Sequence, residues 1–279
     1  MPVVSTNPAA NSALNYLNDS STQEGGLLAQ LASGQRIVQA SDDAAGLAIG
    51  TQLQASIAVY QQNAANIQQG SSILQTADGA LAQISNVLQR MMALATEAAS
   101  GQVTNIQRSQ DINTEYTQLK SEITSIVSST TYAGQTLLSG SFLSNVKFLV
   151  GTLSSNFITI SVATVDTAGL LGNSGSTVSS ATTALAAIGQ LNSAINSITQ
   201  DRAKIGAYES QFSFSGQDIA TNIQNVSAAA SVVLDADVAA VKAKLAAADV
   251  RTQAAVAALT QAAQLPSELL KLIQVPAQP

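Results

Sequence analysis

The 279-residue chain contains no cysteine, no histidine and no tryptophan. These absences exclude a disulfide framework, a zinc site built from Cys and His, and an imidazole general base. The apolar runs are short compared with the roughly 20 residues that a membrane-spanning helix needs, so we expect no membrane span. Because the carboxylates are scattered, an enzyme is the class of protein that the sequence favours least, and we predict no catalytic residue, cofactor or bound metal.

Charges and aromatic rings are also scarce. Charged residues make up 10% of the chain and aromatic residues 4%, whereas about 25% of the residues of a typical soluble domain are charged. The net charge is −6 and there is no basic stripe, which argues against nucleic acid as a partner. A surface made instead of Ser, Thr, Asn and Gln can be buried against copies of itself at low desolvation cost.

What the chain does contain is two ladders of apolar residues with a seven-residue spacing. The upstream ladder consists of Leu53, Tyr60, Ile67, Leu74, Leu81, Leu88 and Ala95. The downstream ladder consists of Leu191, Ile198, Ile205, Phe212, Ile219, Val226 and Val233. Such a repeat forms one seam along one side of a helix, and that seam needs a partner. We therefore predict a mainly α fold, a long antiparallel helical bundle or coiled-coil rod in which the two ladders pack together.

Local patterns predict where the helices begin and end. Ser41 is the expected N-cap of the upstream ladder helix, which should run to about residue 100. A further helix is predicted over residues 105–129. The seam changes phase at residues 70–72, which predicts a local change of supercoil or a slight bend rather than a helix end. Pro266 is expected to break or restart the last helix.

Between the ladders the apolar period changes from helical to two. Residues 148–150 and 157–162 alternate in this way, which predicts a small β-hairpin region near 145–165. Glycine and serine dominate residues 169–180, which are predicted to form a loop. Residues 1–40 are interrupted by glycine, and we expect them to order only against a partner, because a lone helix with so few apolar residues is marginal.

Several stretches resemble bacterial flagellin. Upstream they are LASGQRI at 31–37, SDDAAGLAI at 41–49, QTADGAL at 75–81 and LQR at 88–90. Downstream they are RAKIGA at 202–207, NVSAA at 225–229, DAD at 235–237 and LTQAAQ at 259–264. The DDAAG stretch within its longer context is the specific part of the resemblance, whereas each short match alone would be weak.

The resemblance implies a secreted, extracellular structural subunit that polymerises into the bacterial flagellar filament used for motility. In flagellins the chain ends pair as an inner coiled coil, so residues 1–40 and 236–279 are expected to form its two arms, and residues 41–235 the rod-like helical domain. The implied partners are other copies of the chain, an export chaperone, the flagellar type III export apparatus and the hook-associated proteins. The first residues lack the basic and apolar regions of a cleaved leader, which fits export by that apparatus.

Four aspartates match family positions in the segments between the arms and the rod, namely Asp42, Asp43, Asp235 and Asp237. We expect them to take part in a helix start and in polar contacts between subunits. A metal site is the alternative. It is disfavoured because adjacent side chains on a helix diverge by about 100 degrees, and because further ligands are lacking near the downstream pair.

A second set of family-matched residues lies on the predicted ladder helix and the helix after it. Gln89, Arg90, Leu94 and Glu115 match the flagellin surface that the Toll-like flagellin receptor of animals recognises. The alternative is that Arg90 and Glu115 pair with neighbours in a filament. The chain departs from the family at Ala93, where an acidic residue is common, and at Val238, where an aromatic residue is usual.

Two other functions stay open at this point. One is a hook-associated junction protein that is present in few copies, and the other is a flagellin-like surface protein that binds polysaccharide. The DDAAG stretch and the pair Gln89 and Arg90 favour the filament subunit over the junction protein. No aromatic platform for a sugar is visible in the sequence. Self-polymerisation in vitro distinguishes a filament subunit from a junction protein.

Overall fold

A computed structural model describes residues 7–139, 142–153, 155–171 and 177–273 of the chain. The helices are α1 (Pro8–Ser33), α2 (Ala44–Ala99), α3 (Asn105–Gln107), α4 (Asn113–Ser129), α5 (Thr167–Leu171), α6 (Ala181–Leu234) and α7 (Val238–Ile273). The strands are β1 (Thr131–Tyr132), β2 (Gln135–Thr136), β3 (Val146–Leu149) and β4 (Phe157–Ile160). The prediction of a mainly α fold with long helices and a small β-hairpin region is confirmed.

Contacts within the chain divide it into two compact units. The terminal unit consists of Met1–Ala55 and Val226–Pro279, and the central unit consists of Ser56–Asn225. These bounds differ from those expected for the arms and the rod, because α2 and α6 each contribute residues to both units. The division at 40/41 and 235/236 stays a prediction.

In the terminal unit, α1 and α7 pack side by side in opposite directions. Ser20 Oγ, in the middle of α1, lies 3.0 Å from Thr252 Oγ1 and 3.5 Å from the carbonyl oxygen of Ala248 on α7. The residues buried along this contact are small, and they include Ala13, Ser20, Ala248 and Ala262. Small side chains let the two helix backbones approach closely. Thus α7 supplies the partner that the sequence predicts for the first segment of the chain.

In the central unit, the two ladders share one hydrophobic core. The ladder residues buried in it are Ile67, Leu74, Leu81, Leu88, Ala95, Leu191, Ile198, Ile205, Phe212 and Ile219, with Tyr60 partly buried against them. The helices run antiparallel, since Asp78 pairs with Arg202 whereas Gly70 and Ile67, earlier in α2, lie next to Phe212 and Gly216, later in α6. The prediction that the ladders pack together is confirmed in this unit.

The outermost ladder positions behave differently in the terminal unit. Leu53, Val226 and Val233 are only half-buried, while Ala230 and Leu234 are buried near the end of α6. An α-helix has 3.6 residues per turn, so a strict seven-residue repeat drifts around the helix surface. The buried stripe of α6 has therefore moved off the ladder by its last two turns.

Gly70 marks the point where the upstream seam changes phase, and α2 continues through it as predicted. A Cβ at this position would lie 2.9 Å from two ring carbons of Phe212 and 3.1 Å from Cε1 of Phe148. The two rings meet edge to face, with centroids 5.3 Å apart and planes at 82°. Glycine is thus required here by close packing of two aromatic rings against the helix.

We predict opposite effects for the same substitution at two glycines of α2. Gly70→Ala should destabilise the central unit by about 1–3 kcal/mol, because the added methyl group overlaps Phe212 in a packed core. Gly79→Ala should stabilise it by about 0.5–1 kcal/mol, since no heavy atom lies within 4 Å of the new Cβ and alanine favours the helix. Denaturant unfolding followed by circular dichroism measures both, and a gain in stability for Gly70→Ala would contradict this account.

Arg108 holds the turn that follows α2. Its side chain is 5% exposed, and Nε donates to the carbonyl oxygen of Ala98 at 2.5 Å. Nη2 donates to the carbonyl oxygens of Ser100 at 3.0 Å and Val103 at 2.9 Å, and Nη1 donates to Oδ1 of Asn105 at 2.8 Å. The buried cation is therefore balanced by carbonyl groups at the negative end of the α2 dipole. A π-helical turn (Arg108–Ile112) joins α3 to α4 within the helix predicted over 105–129.

Replacement by lysine should distinguish this arginine from an exposed one. Arg108→Lys should destabilise the central unit by at least about 2 kcal/mol, because one ammonium group cannot reach four separated acceptors. The matched variant Arg90→Lys should cost less than about 1 kcal/mol, since its ion pair with Glu115 is solvent-exposed. Both are measured by thermal unfolding, and equal losses would show that the geometry of the Arg108 contacts is unimportant.

The predicted hairpin is confirmed as the antiparallel pair of β3 and β4, with Val146 opposite Ile160 and Leu149 opposite Phe157. Ile158 and Ile160 point into the core, whereas Phe157 is exposed. Asn63 on α2 is 1% exposed, and its Nδ2 donates to the carbonyl oxygen of Gly151 at the hairpin turn over 3.0 Å. The hairpin is thus fastened to α2 at its turn.

A second, shorter hairpin pairs β1 with β2, and the sequence analysis did not predict it. Its turn residues Ala133 and Gly134 have φ angles of 48° and 79°. Two consecutive positive φ values match the twist of a two-residue hairpin turn. Glycine adopts this conformation without strain, and Ala133 does so at some cost.

Three local predictions were wrong. The N-cap of α2 is Asp43 rather than Ser41, since Oδ1 of Asp43 accepts from the backbone N–H of Gly46 at 2.8 Å. Pro266 does not break the last helix, because it lies inside α7. Part of the predicted loop at 169–180 belongs to α5, while its residues 172–176 lie outside the described part of the chain.

Candidate functional site

The strongest candidate site is a junction in the terminal unit, where the segment between α1 and α2 meets the segment between α6 and α7. Gln35 and Asp235 form an isolated antiparallel bridge. Next to it, the N–H of Arg36 donates to the carbonyl oxygen of Leu234 at 2.6 Å, and the N–H of Ala236 donates to that of Gly34 at 2.9 Å. Backbone hydrogen bonds therefore join the two segments directly.

Gly34 ends α1 and turns the chain into this junction. Its φ of 69° is in the left-handed region, and its N–H donates to the carbonyl oxygen of Gln30. Glycine is the usual residue at such a helix end, because a Cβ is strained in this conformation. The sequence pattern LASGQ thus ends the helix where the bridge begins.

The side chain of Arg36 strengthens the junction. Nε and Nη2 donate to the carbonyl oxygen of Val233 at 3.1 and 2.9 Å, and Nη2 lies 3.6 Å from Oδ2 of Asp43. The carbonyl belongs to the last turn of α6, where the helix dipole favours a cation. Because the arginine side chain is 53% exposed, the ion pair with Asp43 contributes little by itself.

Each of the four family-matched aspartates has a structural role within its own segment. Oδ2 of Asp42 accepts from the N–H groups of Val38 at 3.1 Å and Gln39 at 2.9 Å, and Asp43 caps α2. Asp235 accepts from the Ser231 hydroxyl.

Asp237 completes this set at the start of α7. Its Oδ1 accepts from the N–H groups of Ala239 at 3.0 Å and Ala240 at 3.1 Å. Within the described ranges, no group of three or more acidic side chains is placed to hold a metal ion. Asp42, Asp43 and Asp237 thus shape the junction by accepting from backbone N–H groups, and Asp235 does so by accepting from a hydroxyl. The contacts of these four residues between subunits stay a prediction.

Close packing fixes the start of α2 against the end of α6 at this junction. A Cβ on Gly50 would overlap the side chain of Leu234, which is buried. Ile37, between α1 and α2, is 3% exposed and packs near Gly46. The segment between α1 and α2 is therefore held by a buried apolar side chain as well as by hydrogen bonds.

Removing the cap of α7 should weaken the terminal unit. Asp237→Ala should destabilise it by about 1 kcal/mol, because two N–H groups of the first turn lose their acceptor. Asp249→Ala, in the exposed middle of α7, is the matched control and should be close to neutral. Unfolding monitored by amide hydrogen exchange in α7 measures the difference, and equal behaviour of the two variants would rule out a capping role.

The exposed surface of the paired helices α1 and α7 carries several apolar side chains. Tyr16 is 71% exposed and Val250 is 65% exposed. Further exposed apolar residues on these helices are Leu14, Leu28, Val238, Val256 and Leu265. A shallow groove beside Tyr16 is lined by small residues of α7, Ala254, Ala255 and Ala258, and edged by Asp19 and Arg251. Contiguous exposed apolar surface is typical of protein interaction sites, and this surface is the candidate for such a site.

The predicted receptor-binding residues lie in the central unit. Nη2 and Nε of Arg90 lie 2.7 and 2.8 Å from Oε1 of Glu115, and Gln89 is exposed next to them. Leu94 is only 2% exposed, so it belongs to the core beneath this surface. The sequence analysis placed it on the surface itself. Recognition by a receptor stays a prediction.

Sequence reasoning did not assign a role to Arg36, Gln35 or Gly34, although they lie in a stretch that it singled out. The partners of these residues across the junction are backbone atoms about 200 positions away. The only local indication is a glycine followed by an arginine just after a helical pattern. That pattern shows where α1 ends, but it does not show which helix end the arginine meets.

Among the described residues, no helix combines the length and the apolar character that a membrane span requires.

Comparison with known proteins gives a consistent result. The family model for the bacterial flagellin N-terminal helical region matches residues 4–142, and the model for the bacterial flagellin C-terminal helical region matches residues 185–273. The flagellar filament 30.7 kDa core protein of Treponema maltophilum is 32% identical over 277 residues, which cover 95% of this chain and 96% of that protein.

Further matches are of the same kind. A flagellin of Halalkalibacterium halodurans is 32% identical over 247 residues, which cover 88% of this chain and 90% of that protein. The crystal structure of Bacillus cereus flagellin matches with a TM-score of 0.50 and 30% identity, and the match covers 56% of this chain and 88% of that chain.

Proposed function

This chain belongs to the bacterial flagellin family, and we propose which of its residues form the contacts between subunits in a filament. It is a structural subunit of the flagellar filament used for motility, and it forms part of the extracellular flagellum. We propose that the terminal unit supplies the main contact between subunits, through the outer surface of α1 and α7. The exposed apolar residues of these helices are the observation on which this proposal rests.

The physical argument concerns what an open polymer needs. A helical filament requires a contact between two different surfaces of the subunit, related by a rotation that does not close into a ring. Burial of each large apolar side chain contributes about 1.5–3 kcal/mol. The exposed side chains of α1 and α7, including Tyr16 and Val250, therefore favour association when neighbours cover them.

The junction has a supporting role in this proposal. Its hydrogen bonds at Arg36 and its caps at Asp43 and Asp237 hold the ends of α1 and α7 next to each other. A surface formed by two helices can match a neighbour only if the helices keep one relative position. The family-matched aspartates thus act on assembly by holding helix ends, and the exposed faces of their segments are where we expect polar contacts with neighbouring subunits.

Other partners follow from the proposed route to the filament. We expect an export chaperone to cover the apolar surface of the terminal helices before secretion, and the type III export apparatus to carry the chain outwards. Hook-associated proteins would contact the first and last subunits. The low charge of the chain, 10%, supports close packing of many copies, since like charges would repel each other in a polymer.

Deleting residues 1–40 should abolish filament formation while leaving the central unit folded. The deletion removes α1, which carries Leu14, Tyr16 and Leu28, and it leaves α7 without its partner. Electron microscopy and light scattering, at a concentration where the full chain polymerises, measure assembly. Cooperative thermal unfolding reports on the central unit, and long filaments of the truncated chain would refute the proposal.

A point substitution tests the same surface without removing a helix. Tyr16→Ser should raise the critical concentration for polymerisation about three- to tenfold, because an exposed aromatic ring no longer becomes buried on assembly. Asn15→Ser, at the neighbouring exposed position of α1, is the matched control and should leave it unchanged. A hook-associated junction protein, the alternative function, would form no long filaments even as the unmodified chain.

A further inference from the structure

The side chain of Asn7 contacts both the start of α1 and a residue of α7. It is the N-cap of α1, with Oδ1 accepting from the N–H of Ala10 at 3.1 Å. Its other amide atom, Nδ2, donates to the carbonyl oxygen of Ala262 in α7 at 2.6 Å. One side chain therefore satisfies a donor at the start of one helix and an acceptor near the end of another.

The carbonyl group of Ala262 needs a donor from outside its own helix. In an α-helix this oxygen would accept from the N–H four residues later, and that residue is Pro266, which has no N–H. Ala262 is 7% exposed, so little water reaches it. A buried carbonyl without a donor is costly, and the Nδ2 group of Asn7 supplies the hydrogen bond that proline removes.

A second proline prepares Asn7 for this contact. Pro8 is the first residue of α1, and a proline disfavours helical geometry for the residue before it. Asn7 has φ −100° and ψ 97°, which is the extended conformation that an N-cap requires. Pro8 thus restricts the backbone of Asn7 to the conformation in which its side chain folds back onto the helix start.

We infer that Asn7, Pro8 and Pro266 form a clasp that sets the register of α1 against α7. The hydrogen bond from Nδ2 fits only one alignment of the helices. A carbonyl group earlier in α7 that already accepts from its own helix does not need a donor from Asn7. A slip by one turn would leave the carbonyl oxygen of Ala262 without a partner. Asn7 is therefore a positioning residue for the terminal unit, and this inference does not depend on the proposed filament function.

The substitution Asn7→Asp isolates the contact, because aspartate still caps α1 but cannot donate to a carbonyl oxygen. In the full chain, amide hydrogen exchange should be about three- to tenfold faster in this variant, both at the start of α1 and in residues 258–266. Mass spectrometry on peptides that cover these two regions measures the exchange. The matched control is Asn11→Asp, an exposed position in the first turns of the same helix, where exchange should stay within about twofold of the unmodified chain.

The background Pro266→Ala provides the decisive comparison. Alanine restores an N–H at position 266 that can donate to Ala262 within the helix, so Asn7→Asp should then change exchange less than about twofold. An equal effect of Asn7→Asp in both backgrounds would overturn the clasp, and so would unchanged exchange with Pro266 present. Because exchange is measured without polymerisation, failure of this test is distinct from failure of the truncation experiment.

Discussion

The antiparallel pairing of helices from opposite ends of the sequence is the interaction on which both units depend. In the central unit, α2 meets α6 along two apolar ladders that residues 96–190 separate in the chain. In the terminal unit, α1 meets α7 through alanine and serine. A single helix with so few large apolar residues is marginal in water, so each helix gains most of its stability only when its distant partner arrives.

The interiors of the two units are stabilised in different ways. The central unit fills its core with isoleucine, leucine and two packed phenylalanine rings, and glycine at position 70 makes room for them. The terminal unit has few such side chains in its interior and leaves several on its outer surface. Its internal precision comes instead from hydrogen bonds of Asn7, Ser20 and Arg36 with distant parts of the chain, which specify alignment more than they add stability.

Sequence patterns predicted the features that a repeated or local pattern of apolar residues determines. The ladders could be found because every buried position repeats the same requirement, and the β-hairpin because its alternation is local. Single contacts across the chain could not be found. Ser41 and Asp43 are both good caps by residue type, and the structure has Asp43 as the cap, directly after a turn closed by Asp42. Arg108 has the same local sequence context as an exposed helical arginine, and its burial depends on the path of the chain after α2.

Pro266 shows why a correct local rule can give a wrong result. Proline removes one hydrogen bond from the helix that contains it, and from sequence alone this favours a helix end. In α7 the loss is offset by a side chain from the start of α1, so the helix continues. The same proline that weakens α7 by itself thus makes its alignment with α1 specific. The terminal unit is held together by small residues, which fit several alignments of the two helices. The carbonyl group of Ala262 lacks a donor in its own helix and accepts only from Asn7, so this contact adds a specificity that further apolar surface would not.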